Sequence, residues 1–202
     1  MVANIVFDLG KVVVRWDPES LLAQCGIAPE QQTPLAQKLF SHSAWLEVDR
    51  GTLATSQAAV LSSGELKLDL HQVKQIYQAV APSLEPFPEM LSLIERLKKA
   101  GYSLYVLSNM GLDSISHLRN QSNFLSQFDG ILFSAECGHI KPEEAIYQLL
   151  LREFSLEPQT CLFIDDSKPN IEAAERLGIH GIHHLDYRTT HQQLQEQLPH
   201  PF

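Results

Sequence analysis

Four polar clusters in this sequence stand behind short apolar runs, each where a buried strand would end. Asp8, followed by Leu9 and Gly10, comes after the run 3–7. Ser108 and Asn109 follow 103–107, and Lys141-Pro142 follows 130–133 after a short loop. The acidic pair Asp165-Asp166 closes the run 161–164. A nucleophilic carboxylate, a hydroxyl, an ammonium and two adjacent carboxylates suit the transfer of a phosphoryl group. Carboxylates bind a hard cation such as Mg²⁺, which takes one or two of them and completes its shell with water and phosphate oxygens. Such a charge lets an anionic Asp8 approach an anionic phosphate. Lys141 would neutralise the equatorial oxygens, and Ser108 with nearby backbone amides would hold them.

Each cluster alone has an ordinary reading. Asp8 would be a strand-end cap, Asp165-Asp166 a helix N-cap pair, Ser108-Asn109 a turn and Lys141 a solvated lysine. Two adjacent acids at a buried strand end repel each other without a cation, so the metal reading is preferred there. The shared position of all four clusters favours one site.

To meet, the clusters must sit on neighbouring strands. The runs 3–7, 103–107, 130–133 and 161–164 are near-continuous in apolar residues, as strands buried on both faces are, and 181–184 is a weaker fifth. Helices fall between them. Residues 88–100 carry Met90, Leu91, Ile94 and Leu97 at helical spacing and stop at Gly101. Residues 142–154 begin on Pro142 and align Ile146, Leu149 and Leu150, while 170–177 close at Gly178. This alternation implies a doubly wound, Rossmann-like α/β fold, with the site beyond the carboxyl ends of its parallel strands. Between the first run and Pro88 lie about 80 residues with helical but no strand character, too long for a loop. They are expected to form a helical cap over residues 15–84, leaving 1–14 and 85–202 as the α/β core.

Composition narrows the partners. Of 202 residues, 44% are hydrophobic and 19% charged, enough apolar material for a packed core, and no apolar run is long enough for a membrane span. The start, MVANIVFDLG, has no cationic leader. The net charge of −9 argues against nucleic acid as a partner and requires local positive potential wherever a phosphate binds. Cys25, Cys137 and Cys161 are widely spaced and lack any CxxC pair, which suits reduced thiols in a cytoplasmic protein. The expected ligand is a small phosphorylated metabolite, and the expected state a monomer or small homo-oligomer.

The segments FDLGKVVV, VLSNM, GHIKPEEAIY and FIDDSKPNIEAAERLG resemble, in order and spacing, the four motifs of the haloacid dehalogenase-like hydrolases. Within the cap, WLEVDRGTLATSQ is similar to a segment of the epoxide hydrolase N-terminal phosphatase-like relatives, and the subgroup suggested is the α-D-glucose-1-phosphate phosphatases. The resemblance implies a Mg²⁺-dependent phosphatase with Asp8 as nucleophile and metal ligand. It implies that Gly10 gives a backbone carbonyl to the metal, that Asp166 binds it directly and that Asp165 does so through a water. Ser108 and Asn109 would contact phosphate, Lys141 would link phosphate to nucleophile, and Asn170 would support the metal's ligands from behind.

The chain departs from that pattern at one position. Most phosphatases of the family carry a second Asp two residues after the nucleophile, as proton donor and then base; here that position is Gly10. A positioned acid is worth about 10²–10⁴ in rate. Its loss suits an anomeric leaving oxygen, as in glucose 1-phosphate, and implies a steep dependence on the leaving group. Two other readings compete: a 2-haloacid dehalogenase, against which the doubled acid counts, and an idle relative that binds a phosphorylated ligand or a partner. Asp17, before Pro18, is expected to cap a helix, and His183 and His184 to be structural. Lys11 and Arg15 are read as solvated. Trp16 and Trp45 are read as packing residues, Trp45 lying near the segment that faces the site.

Overall fold

The computed structural model describes residues 1–121 and 123–202. Five parallel strands form one sheet: β1 (Asn4–Phe7), β2 (Ser103–Ser108), β3 (Gly130–Phe133), β4 (Cys161–Asp165) and β5 (His180–His183), in the order β3-β2-β1-β4-β5. Alternation along each strand divides the core. Ile5, Phe7, Leu104, Val106, Leu162 and Ile164 face one layer, whereas Val6, Tyr105, Leu107 and Phe163 face the other. Both faces are covered, which explains the unbroken apolar runs. The edge strand β5 buries only Ile182 within its own span, hence its weaker signal.

The helices that cover the sheet are placed by simple rules. In chain order they are α1 (Pro18–Gln24), α2 (Pro29–Phe40), α3 (Ser43–Arg50), α4 (Thr55–Leu66), α5 (Leu70–Ser83), α6 (Pro88–Lys99), α7 (Leu112–Gln121), α8 (Ser134–Cys137), α9 (Glu144–Glu153), α10 (Lys168–Arg176) and α11 (Tyr187–Gln197). Helix α6 starts on Pro88 and buries Met90, Leu93, Ile94 and Leu97; Leu91, expected inside, sits at its margin. Helix α9 begins two residues beyond Pro142 because Lys141-Pro142 belongs to the loop that delivers the ammonium, and it buries Tyr147 where Leu149 was expected. Helix α10 starts earlier than expected, with Pro169 in its first turn, where a missing N–H costs nothing.

Helices α1 to α5 occupy the long insertion after β1 and surround a core of their own that includes Leu21, Leu22, Leu39, Ala58 and Ile76. Asp17 caps α1 by accepting from the Ser20 N–H at 3.0 Å, and Pro18 opens the helix. The chain leaves and rejoins the sheet through two adjacent crossings. Arg15 N–H donates to the Glu85 carbonyl at 2.7 Å, and Phe87 N–H to that of Val13 at 2.9 Å. Among the described residues, no helix is long and apolar enough to cross a membrane.

Candidate active site

The strand order reverses between β1 and β4, where a doubly wound sheet opens a crevice at its carboxyl edge. Asp8 follows β1 there, its N–H donating to the Ile164 carbonyl of β4 at 2.9 Å. Asp165 ends β4, Ser108 ends β2, and Lys141 reaches the same point from the loop after α8. The Lys141 ammonium is buried between two carboxylates, 2.9 Å from Asp8 Oδ1 and 2.6 Å from Asp165 Oδ2. With only 4% of Lys141 exposed, an ammonium without partners would be costly, and its two partners account for its stable charge. Their charges raise the Lys141 pKa against the opposing effect of burial.

Asp8 is pushed the other way. Burial raises its carboxyl to about 6; the Lys141 charge opposes this, Asp165 adds to it, and hydrogen bonds from Lys141 and Ser108 favour the anion. Leu9 N–H donates to Asp8 Oδ1 at 2.7 Å and helps fix the carboxylate. Asp165 is fully enclosed. Its Oδ1 accepts from Ser167 N–H at 2.7 Å, and the Asn170 amide donates to both its oxygens at 3.1 and 3.0 Å. Asn170 therefore steadies a carboxylate from behind. Asp166 is more open, with its pKa raised by burial and Lys11 Nζ lying 3.6 Å from its Oδ2.

One oxygen each from Asp8, Asp165 and Asp166 lie within 4.8 Å of one another. Three hard oxygen donors converging beside a phosphate-sized space fit Mg²⁺. The bonds already made by Asp165 suit an indirect role, and Asp166 is the freer ligand.

Asn109 lines the cavity, and its side chain is engaged with the lysine loop. Its amide donates to the Lys141 carbonyl at 3.0 Å and its oxygen accepts from Lys141 N–H at 2.8 Å, so it ties the lysine loop to β2. Gly10 also lines the cavity. A Cβ there would meet nothing nearer than Trp16 Cβ at 3.8 Å, an ordinary contact, so steric need does not explain the glycine.

The cavity has a volume of about 440 Å³. Its floor includes Asp8, Gly10, Asn109 and Asp166; Trp16, Phe40, Trp45 and Tyr77 form an aromatic wall, with Thr55, Asp113 and Ser114 adding polar groups. Trp16 and Trp45 stack at 6.0 Å, and Trp45 meets Tyr77 at 5.3 Å. Lys11 lines this space, whereas Arg15 lies over the Phe87 ring at 5.6 Å. His183 Nε2 donates to the Asp166 carbonyl at 2.9 Å and so helps place that acid, while buried His184 pairs with Thr190.

Sequence reading missed Asp49, on α3. Its partly buried carboxyl lines the cavity, and burial pushes it up to about 7. The available signal was an acid just ahead of Gly51 in WLEVDRG, the segment expected to face the site.

A five-stranded doubly wound sheet with an Asp–Lys–Asp cluster at its switch point defines a class of α/β enzyme scaffold. The family model described as haloacid dehalogenase-like hydrolase matches residues 5–178, and the chain belongs to that family. It is 24% identical over 193 residues to the sesquiterpene phosphatase astK of Aspergillus oryzae, covering 95% of this chain and 94% of that protein. It is 26% identical over 190 residues to the D-ribitol-5-phosphate phosphatase of Bacteroides thetaiotaomicron, covering 88% and 89%. A family enzyme of Bacteroides thetaiotaomicron, solved in complex with magnesium and inorganic phosphate, superposes with a TM-score of 0.72 at 22% identity, covering 90% of this chain and 93% of that one. The family and the α/β fold expected from the sequence therefore hold, and the chain has phosphatases among its relatives.

Proposed function

We propose that the protein is a Mg²⁺-dependent phosphoric monoester hydrolase that works through a phosphorylated Asp8. The observation that carries this reading is the Asp8 carboxylate beside the buried Lys141 ammonium, at 2.9 Å, on the floor of an open cavity. Asp8 attacks phosphorus in line with the departing oxygen, and Lys141 balances charge on the phosphoryl oxygens. Ser108 and the backbone amides after β1 and β2 orient those oxygens. A bound Mg²⁺, held by Asp8, the Gly10 carbonyl and Asp166, with Asp165 behind a water, would supply the positive charge that offsets nucleophile and phosphate. Water then releases phosphate from Asp8.

The substrate proposed is a small phosphorylated metabolite, with sugar phosphates such as glucose 1-phosphate first among them. Thr55, Asp113 and Ser114 offer partners for hydroxyl groups, and the tryptophans offer flat faces. The aromatic wall also suits a more apolar organic group, a second reading in line with a relative named for a sesquiterpene substrate. The deciding experiment is phosphate release from a panel of sugar phosphates, alditol phosphates and isoprenoid monophosphates, with and without Mg²⁺, using the intact protein and Asp8→Asn. Release by the Asp8→Asn protein at the intact rate would remove this mechanism; release of halide from 2-haloacids, indifferent to chelator, would replace it.

A further inference from the structure

The floor of the cavity carries Asp8 as the nucleophile, and Gly10 stands two residues on, where most phosphatases of the family place a second acid. Asp49 faces the same cavity from the inserted helices. It lies outside the metal-suited cluster of Asp8, Asp165 and Asp166, and among the described residues no cation lies within ion-pairing distance of its carboxylate. Desolvating a carboxylate without a cation disfavours its charged form.

Its placement is fixed on each side. The Asp49 carbonyl accepts from Ser134 Oγ on α8, and Ser134 Oγ in turn accepts from Met110 N–H at 2.8 Å. The next residue, Arg50, grips Glu143 through two bonds of 2.9 and 2.7 Å. Gly51 follows at φ +80, so close to the core that a Cβ would stand 2.2 Å from the Ala135 carbonyl oxygen. Before it, Val48 presses on Gly111, where a Cβ would come within 2.6 Å of Val48 Cγ1. Four consecutive residues of α3 and its cap are thus seated against the loops that carry Asn109 and Lys141. That is the rigidity a proton donor requires, because transfer falls off steeply outside hydrogen-bond reach.

We propose that Asp49 is the general acid and base of the reaction, doing from the inserted helices what a carboxylate at position 10 would have done from the sheet. This rests on the aspartyl-phosphate reading above. In the first step the Asp8 Oδ–P bond forms as the bond from phosphorus to the organic oxygen breaks, and protonated Asp49 gives its proton to that oxygen, so a neutral alcohol leaves. In the second, water attacks phosphorus and passes a proton to the Asp49 carboxylate while the Asp8–P bond breaks. One water is consumed, one alcohol and one phosphate are released, and both carboxyl groups return to their starting states. The environment suits both roles. Burial raises the Asp49 pKa most, a hydrogen bond from Trp45 restrains the rise, the Asp8 charge adds to it and Lys141 opposes it. At about 7, acid and base forms are both populated near neutral pH.

The test is a series of aryl and alkyl phosphates of graded leaving-group pKa, assayed with Mg²⁺ where phosphorylation of Asp8 limits the rate. Intact protein is expected to show a shallow dependence. Asp49→Asn and Asp49→Ala should both show a steep one, with alkyl phosphates slowed on the order of 10²-fold or more and activated aryl phosphates and acetyl phosphate slowed only a few-fold. Two different replacements guard against a folding defect in either one. Equal loss across the series, or a steep dependence already present in the intact protein, would overturn the assignment of Asp49 while leaving the phosphatase reading intact. No phosphate release from any member by the intact protein would overturn both.

Discussion

The sheet edge and the wall of inserted helices meet across one cavity and are built on opposite principles. At the edge, Asp8, Lys141, Asp165 and Asn170 form a closed polar network in which each buried charge has a partner. Such a network admits one geometry, because any displacement leaves a charge or amide without a partner in a poorly solvated place. Across the cavity, Trp16, Phe40, Trp45 and Tyr77 meet through ring contacts of 4.8 to 6.0 Å. Dispersion and burial are non-directional, so this wall can accept ligands of different outline. On the proposed mechanism, over-determined geometry would sit where bonds change, and adaptable surface where the organic group rests. Asp49 is the exception: a titratable group on the adaptable side, tied to the core through its neighbours.

Changes at the edge should cost most. Asp8→Asn is expected to lower turnover by at least about 10³-fold with circular dichroism unchanged, because an amide of the same shape cannot attack phosphorus. Retention of activity would erase the distinction between the two regions. Chelation should silence the protein nearly as completely and Mg²⁺ should restore it, while the melting temperature moves little; a chelator-insensitive turnover would remove the metal from the edge. Lys141→Met should lose activity and also about 3 kcal/mol of stability in urea unfolding, since it strands Asp8 and Asp165. A variant as stable as the original would show that the network does not hold the edge together.

The remaining two sharpen the contrast. Gly10→Asp, placed in the Asp49→Asn protein, should recover about tenfold in the hydrolysis of alkyl phosphates, since a Cβ at position 10 makes only an ordinary contact with Trp16. Recovery would make the two positions interchangeable sources of one proton. Trp16→Ala should alter the ratio of kcat/KM between a sugar phosphate and an isoprenoid monophosphate by about tenfold, the value of one well-buried aromatic contact, while acetyl phosphate changes far less. An equal fall for all three would mean that the wall serves closure or stability.

Much of this was legible because buried parallel strands are read directly as apolar runs, and the residue after each run is delivered to one edge. The placement of Asp8, Ser108 and Asp165 follows from that rule, and the helical nature of the insertion from its lack of strand-like runs. The part played by Asn109 did not, because a side chain's partner across β2 and the lysine loop depends on tertiary placement. Helix α9 starts at Glu144 and not at Pro142 for a related reason: Pro142 signals a helix start but serves a loop that carries Lys141 inward. Asp49 was hidden most thoroughly. Between Val48 and Arg50 it looks like one more polar residue on an exposed helix, and only the seating of α3 on the core turns it toward the cavity. The sequence shows only a missing acid at Gly10, where the structure offers a carboxylate from another part of the chain.

The paired crossings at Arg15–Glu85 and Val13–Phe87 have a consequence for how such a chain can change over time. Because the insertion departs and returns through neighbouring backbone hydrogen bonds, its two ends are already together, and the length of chain between them adds little to the cost of closing the loop. The sheet experiences it as a single short turn. Segments of other sizes and shapes could be exchanged at that point without altering strand order or register, much as domains are inserted at surface positions where chain ends lie close. One scaffold could thereby acquire new specificities by recombination at a single junction. Any exchanged segment would, however, also carry away Asp49, so a lineage that moved its proton donor into the insertion would have made the junction harder to reuse.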